Sequence, residues 1–159
     1  MFRRRNKQGL GSQFSNFLWP QSGFRRAGAY ILHRVRRLPG SPYSIAAGFA
    51  CGAAISFTPY MGFHILLGGL LAWLIGGNVL AAAIGTVVGN PWTFPFIWFG
   101  VYRLGCVMIG CDAGQALPDE LTLTYIFNNT ISILLPMSVG AIPAATVIWI
   151  IFFWPIRQL

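Results

Sequence analysis

The chain has 159 residues, of which 55% are hydrophobic and only 9% are charged. A soluble domain carries about 25% charged residues, so this inventory cannot cover a water-facing surface. The net charge of +8 is concentrated before Leu38, where nine basic residues stand without an acidic one. These features exclude a soluble enzyme and a nucleic-acid-binding domain, and they predict an all-α polytopic membrane protein.

Residues 1–41 are predicted to form a basic cytoplasmic tail followed by an interfacial helix. Apolar residues from Phe24 to Leu38 recur at intervals of three and four, and basic residues fall on the opposite face, as in an amphipathic helix. Basic residues ahead of a first apolar stretch hold the N-terminus in the cytoplasm and attract anionic lipid headgroups. The predicted headgroup contacts are Arg25, Arg26, Arg34, Arg36 and Arg37.

Residues 42–159 are predicted to form the membrane domain. No Asp, Glu, Lys or Arg occurs from Leu38 to Tyr102, and none occurs from Leu121 to Ile156. A helical crossing needs about 20 apolar residues. The first stretch therefore has room for about three crossings, and the second has room for one to two. We expect an even number of crossings, preferably four, with both termini in the cytoplasm.

Proline and glycine divide the first long stretch into two broken-helix units. Short apolar helices are predicted over residues 43–57, 62–75, 79–89 and 93–109, with similar breaks at Thr58-Pro59 and Asn90-Pro91. Transporters often place such breaks where protein or a water-filled cavity satisfies the freed backbone groups. We therefore expect the two breaks to lie close together.

The breaks define a candidate polar site at membrane depth. It consists of Thr58, Pro59, His64, Asn90, Pro91 and Thr93. His64 is either a neutral histidine bonded to a freed carbonyl or an ionisable functional group, in which case its replacement by Leu would harm function more than folding. The hydroxyl and amide groups either satisfy the backbone or contact a substrate or ion.

Other patterns concern helix packing and the C-terminal part of the chain. Two pairs of glycines one helical turn apart predict close helix approach, within one protomer or between two copies. They are Gly48, Gly52, Gly85 and Gly89. A C-terminal helix pair is predicted, with one helix starting at Pro118 and ending at Pro136, and a second from Val139 to Trp154.

The sequence offers no catalytic or metal-binding set. Cys51, Cys106 and Cys111 are odd in number and have no His or carboxylate pattern around them, so we expect three free thiols and no metal or cofactor. The acids Asp112, Asp119 and Glu120 share one short stretch, without a base or nucleophile beside them. The chain is therefore not expected to be an enzyme.

Several runs of the sequence resemble a known bacterial family of unknown function, the one numbered two-zero-six-two. These runs are Arg36-Arg37-Leu38-Pro39, Ile45-Ala46-Ala47-Gly48-Phe49-Ala50, Phe57-Thr58-Pro59-Tyr60-Met61-Gly62-Phe63-His64, Gly77-Asn78, Gly85-Thr86, Asn90-Pro91-Trp92-Thr93-Phe94-Pro95, and Leu135-Pro136-Met137 with Gly140. The resemblance covers about residues 24 to 158. It implies a small integral protein of the bacterial cytoplasmic membrane, and it implies no activity.

Two functions are compatible with these patterns. The first is transport of a small molecule, an ion or a lipid through the broken-helix site. The alternative is a structural or assembly subunit that docks onto a larger membrane complex or forms a homo-oligomer. A cavity touching Thr58, His64, Asn90 and Thr93 would favour transport, whereas a filled interior with an exposed glycine and aromatic ridge would favour assembly.

Overall fold

A computed structural model describes residues 24–111 and 130–158 of the chain. All regular elements in these residues are helices, which confirms the all-α class for this part of the protein. In chain order they are α1 (Phe24–Arg36), α2 (Pro42–Ile55), α3 (His64–Leu74), α4 (Val79–Gly85, continued by a 3-10 turn at Thr86–Val88), α5 (Phe94–Ile109) and α6 (Thr130–Arg157). The contacts divide the chain after Arg37 into two units.

The first unit contains α1, which ends within two residues of the predicted boundary. Its described side chains at Arg26, His33 and Arg34 are exposed, and Val35 is buried. Arg34 Nη1 donates to the Tyr30 hydroxyl at 2.9 Å, one helical turn away. The exposed basic side chains and the buried Val35 therefore lie on different faces of α1, as the amphipathic pattern predicts.

The second unit is built around α2, a helix of small residues. The Ser41 hydroxyl accepts a hydrogen bond from the Ser44 N–H at 3.1 Å, and Pro42 occupies the first turn, so this helix starts with two favourable N-terminal residues. Every residue from Ala46 to Ser56 is buried. A helix that is apolar on all sides needs neighbours on all sides, and α3, α4 and α6 supply them.

Helix α3 packs antiparallel to α2. The Tyr43 hydroxyl, at the start of α2, donates to the Ile75 carbonyl just after α3, at 3.3 Å. Towards the other end, Gly68 lies against the Gly52 backbone. The chain therefore turns back on itself at the first break, and α2 and α3 form a helical hairpin.

Helix α4 runs parallel to α2. The Asn78 N–H donates to the Ser44 carbonyl at 2.8 Å near the start of both helices. Near their ends, the Ser56 hydroxyl donates to the Thr86 carbonyl at 3.2 Å. Asn78 also caps α4, because its side-chain oxygen accepts from the Ala81 N–H at 3.0 Å.

The C-terminal part of α6 packs antiparallel against α2. Phe153 contacts the small residues of α2, among them Ala46. Further back along α6, the Ser138 hydroxyl lies 3.2 Å from the Tyr60 hydroxyl, just beyond the end of α2. Arg157 lies over the Phe153 ring, 5.7 Å from its centroid, so the last turn of α6 combines aromatic and basic side chains.

The N-terminal part of α6 packs antiparallel against α5. Gly105 lies against the Pro136 backbone, and Gly140 lies against the Val101 carbonyl. Helices α4 and α5 therefore run in the same direction, opposite to α6, on either side of the second break. The two broken units predicted from similar motifs thus differ, since the first turns back and the second continues.

Helix length does not support the four crossings expected from the sequence. Among the described residues, only the helix Ile131–Arg157 is long and apolar enough to cross a membrane. Only 17% of its most apolar window is buried in the protein, unlike a core helix of a soluble domain. The other apolar helices of this unit have 10–17 residues.

The predicted end of a helix at Pro136 is wrong. Helix α6 continues through Pro136 and Pro143 to Arg157. A proline removes one backbone donor, but a helix tolerates it where neighbouring groups re-satisfy the backbone, and Pro136 packs against Gly105 of α5. The predicted helix start at Pro118, with Asp119 and Glu120, lies outside the described residues, as does Asp112.

The prediction of three free thiols is wrong for two of them. Cys51 is free and buried, but Cys106 and Cys111 form a disulfide. Gly110 adopts a left-handed conformation with φ of 74°, and the Cys111 N–H then bonds to the Cys106 carbonyl at 3.1 Å. This turn returns the chain to the last turn of α5, with 4.8 Å between the two Cα atoms.

Candidate functional site

The first break follows α2 and satisfies its own backbone. The Ser56 hydroxyl donates to the Gly52 carbonyl at 3.1 Å, and the Thr58 hydroxyl donates to the Ile55 carbonyl at 2.7 Å. Both are local side-chain bonds, and each carbonyl also accepts the backbone N–H of the same residue, Ser56 or Thr58. Ser56 is fully buried, so its hydroxyl needs these partners.

His64 lies at the start of α3 and connects the two breaks. Its side chain is only 9% exposed, and its Nε2 lies 3.3 Å from the Thr58 carbonyl oxygen. The imidazole also stacks on Phe94, the first residue of α5, with 5.6 Å between ring centroids. This geometry fits the structural alternative for His64, a histidine bonded to a carbonyl that the break sets free.

The second break is closed by the side chains of Asn90 and Thr93. The Asn90 side-chain oxygen accepts from the Trp92 N–H at 3.0 Å and from the Thr93 N–H at 3.1 Å. The Thr93 hydroxyl donates to the Val88 carbonyl at 2.8 Å and accepts from the Asn90 N–H at 2.9 Å. Asn90 and Thr93 therefore serve the backbone of their own loop.

The structure brings the two breaks together. Ser56 bonds to the Thr86 carbonyl, and a side chain at Gly89 would collide with Ser56. The His64 and Phe94 rings form a further link. Pro59 and Pro91 lie in these adjoining loops, where the His64 ring faces the Thr58 carbonyl and the Asn90 side chain bonds within its own loop.

Three of the predicted packing glycines interlock α2 with α4. A Cβ atom on Gly52 would overlap the Ala82 carbonyl, and one on Gly85 would overlap the Phe49 carbonyl. A Cβ atom on Gly48 would likewise overlap the backbone just before α4. The two helix backbones are therefore in direct contact within one protomer, which is the arrangement that small residues permit.

A second glycine contact was missed at the sequence level. Gly105 of α5 meets the Pro136 backbone, and Gly140 of α6 meets the Val101 backbone. Gly105 shares α5 with Gly100, five residues away, and Gly140 is the one glycine of α6, so neither belongs to a pair one turn apart. The available signal was a glycine within each long apolar helix.

A shallow apolar cavity of about 350 Å³, wide open to the protein surface, lies beside the first break. Its lining residues are Phe57, Leu104, Pro143, Ala144, Val147 and Ile148. All six side chains are hydrocarbon, so the cavity offers contacts to an apolar group and no hydrogen-bonding partner. No sequence motif links these residues, because they come from three separate segments.

The basic side of α1 forms a separate candidate surface. Arg26, Arg34 and Arg37 are exposed, and Tyr30, His33, Arg34 and Arg37 surround a depression of about 370 Å³. The side chains of Arg25 and Arg36 lie outside the described residues. Four arginines and no acid in this helix suit a polyanionic partner such as a phosphate headgroup.

The described residues contain no group of three or more His, Cys, Asp or Glu side chains that could hold a metal ion. The chemistry of the site therefore depends on its hydroxyl, amide and imidazole groups and on the apolar cavity.

Within residues 24–111 and 130–158, the geometry defines a class: an all-α protein in which one helix has membrane-spanning length and two proline-containing breaks pack against each other. Within this class, the chain belongs to the family described as "Uncharacterized protein conserved in bacteria (DUF2062)", whose model matches residues 25–159. The resemblance found in the sequence motifs is thereby confirmed. No curated protein and no solved structure matches the chain.

Proposed function

We propose that this protein is an integral protein of the bacterial cytoplasmic membrane that crosses the bilayer twice and enters it a third time without crossing. Helix α6 forms one crossing. Helices α4 and α5, which run in the same direction, form the other, interrupted at Asn90-Pro91. The hairpin of α2 and α3 enters and leaves on one side, with the first break at its tip.

The surface of the second unit supports a lipid environment. Within 38–111 and 130–158, the unit contains no Asp, Glu or Lys, and its arginines are Arg103 and Arg157. Large apolar side chains are exposed along α3, α5 and α6, and an apolar surface of this extent requires lipid or protein to cover it. Examples with at least 66% exposure are Leu66, Trp73, Phe96, Val107 and Ile142.

The length of α6 supports a position of the breaks at membrane depth. Its 28 residues extend over about 42 Å. Tyr60, at the first break, meets Ser138, and Phe57 lines the same cavity as Ala144, so this break lies beside residues 138–144, between the two ends of the helix. Backbone at that depth must be satisfied internally, which accounts for the hydrogen bonds of both loops.

We further propose that the protein moves or presents membrane lipids beside these breaks. The observation that carries this proposal is the cavity next to Phe57, which is open and lined entirely by apolar side chains. The polar groups at the breaks bond to the backbone, so a small polar solute or an ion finds few free partners there. A lipid acyl chain requires only apolar contact.

Lipid movement in proteoliposomes tests this proposal. Purified protein is reconstituted with a fluorescent phospholipid, and quenching from outside reports transfer between leaflets. Ala144→Phe fills the cavity and should reduce the rate at least tenfold, whereas Ile142→Phe changes an exposed position of the same helix and should leave it unchanged. Equal rates in wild type, Ala144→Phe and protein-free vesicles would contradict the proposal.

A structural or assembly subunit is the second candidate. It is favoured by the internal bonding of both breaks and by the exposed ridge of Leu66, Leu70 and Trp73 on α3, which a partner helix could cover. Native electrophoresis after mild detergent extraction distinguishes the candidates. A discrete larger complex that is lost in Leu70→Arg, together with no lipid movement by the isolated protein, would favour assembly.

A further inference from the structure

The disulfide between Cys106 and Cys111 lies at the end of the second unit that is farthest from the start of α2. Gly105, next to Cys106, packs on Pro136 near the start of α6. The start of α2 packs instead near the end of α6, where Phe153 contacts Ala46. The stretch of α6 from residue 136 to 156 covers about 30 Å, which is the thickness of the hydrocarbon core.

The two ends of this unit differ in chemistry. The disulfide marks one end, and disulfides form and persist in oxidising compartments outside the bacterial cytoplasm. The other end carries Arg157 at the end of α6. It also contains the start of α2, which follows the segment with nine basic residues before Leu38. Basic residues beside an apolar stretch remain on the cytoplasmic side.

We propose that Cys106 and Cys111 are oxidised outside the cytoplasm by a disulfide-carrying thiol oxidase, and that this end of α5 faces the extracytoplasmic side. The proposal rests on the membrane arrangement proposed above. It assigns the starts of α2 and α4 and the end of α6 to the cytoplasmic side.

The chemistry is a two-step thiol–disulfide exchange. One thiolate of the pair attacks the disulfide of the oxidase, which forms a mixed disulfide and releases one oxidase thiolate. The second thiolate of the pair then displaces the other oxidase sulfur. The two cysteines lose two electrons and two protons in total, and the oxidase is left as a dithiol.

The bond has a structural consequence at the end of α5. The turn at Gly110 already holds the Cys111 N–H on the Cys106 carbonyl, and the disulfide closes the same turn covalently. The last turn of α5 and the first residues beyond it are therefore fixed together. Cys51 takes no part, because it is buried in α2 against Trp149.

Differential alkylation of the full-length protein in cells tests the proposal. Free thiols are blocked with N-ethylmaleimide in denaturant, disulfides are then reduced, and the released thiols are tagged with a polymer maleimide. Wild-type protein should gain two polymer tags, and Cys106→Ser should gain none. Treating intact spheroplasts with a membrane-impermeant reductant before the block should abolish both tags.

Absence of tags in wild-type protein from carbonate-washed membranes would overturn the proposal while leaving the membrane arrangement in place. A bond that opens only with a membrane-permeant reductant would overturn the extracytoplasmic assignment. Recovery of the protein in the carbonate-soluble fraction would instead contradict the membrane arrangement, and the proposal would fail with it.

Discussion

At the scale of single residues, Gly52 is the most sensitive packing position. Its missing side chain allows the Ala82 carbonyl of α4 to touch α2, and a backbone group cannot move aside as a side chain can. Gly52→Ala should therefore lower the free energy of unfolding by about 1–3 kcal/mol. Thermal unfolding in detergent, followed by circular dichroism, measures this loss.

The matched control is Gly100→Ala on α5. Gly100 is also helical, but nothing lies within 4 Å of the position where its Cβ would be. Alanine favours a helix more than glycine does, so this variant should be as stable as wild type or slightly more stable. An equal decrease in the free energy of unfolding in both variants would mean that contact between the helices is not the reason for glycine at position 52.

A second residue-scale prediction concerns Asn90. Asn90→Ala removes the acceptor of two backbone N–H groups, those of Trp92 and Thr93, and should lower the free energy of unfolding by about 1–3 kcal/mol. Asn90→Asp retains an acceptor oxygen and should lose less. The order of the two variants in thermal unfolding checks the assignment, and a loss in Asn90→Asp equal to that in Asn90→Ala would contradict it.

Residue types predicted which side chains serve the breaks, but not every partner. Hydroxyl and amide groups beside a proline have few roles other than bonding to the freed backbone, so Thr58 and Asn90 could be identified from sequence. The disulfide could not, because pairing of Cys106 with Cys111 depends on the left-handed turn at Gly110. A search for metal-ligand patterns does not detect that turn.

At the scale of elements, α1 should bind anionic membranes. We predict that a peptide of residues 24–38 binds vesicles containing an anionic phospholipid, and that changing Arg25, Arg26, Arg36 and Arg37 to Gln removes roughly 4 kcal/mol of attraction, about 1 kcal/mol per residue before salt screening. Co-sedimentation with vesicles measures the binding. The matched peptide with Lys at these four positions should bind like the original. Unchanged binding of the Gln peptide would show that the four arginine charges do not contribute to membrane binding.

Helix boundaries were predictable because proline and glycine act locally. The predicted ends of α2, α3 and α5 fall within two residues of those observed, and those of α4 do so once its 3-10 turn to Val88 is counted. The direction of the chain after each break was not predictable, since Thr58-Pro59 and Asn90-Pro91 look alike and yet the first turns back and the second continues. Packing of Gly68 on Gly52 and of Gly105 on Pro136 decides the direction, and these contacts are distant in sequence.

At the scale of the whole molecule, composition predicted an apolar all-α protein, but counting residues per apolar stretch led to four crossings, whereas the described residues contain one helix long and apolar enough to cross a membrane. That count assumes that each stretch runs straight through the bilayer. The observed α2 and α3 pack antiparallel and are each too short to cross. A hairpin of this kind arises from tertiary contacts that no hydropathy window contains.

The proposed arrangement predicts that both ends of the second unit face the cytoplasm. Two reporters are fused in turn after Leu159. The one that is active only in the cytoplasm should be active, and the one that is active only after export should be inactive. Fusions at residue 111 should give the opposite pattern. An active exported reporter at Leu159 would require an odd number of crossings and would contradict the arrangement.

The depth of the first break tests the central claim most directly. In a Cys51→Ser background, a nitroxide label is placed at Met61, at the tip of the α2–α3 hairpin, or at Leu74, at its other end; both positions are exposed. Collisions with oxygen and with a water-soluble nickel chelate should place the Met61 label about 15 Å deeper in the bilayer, since α3 spans that distance. Equal exposure of both labels to the chelate would contradict a hairpin that ends at membrane depth.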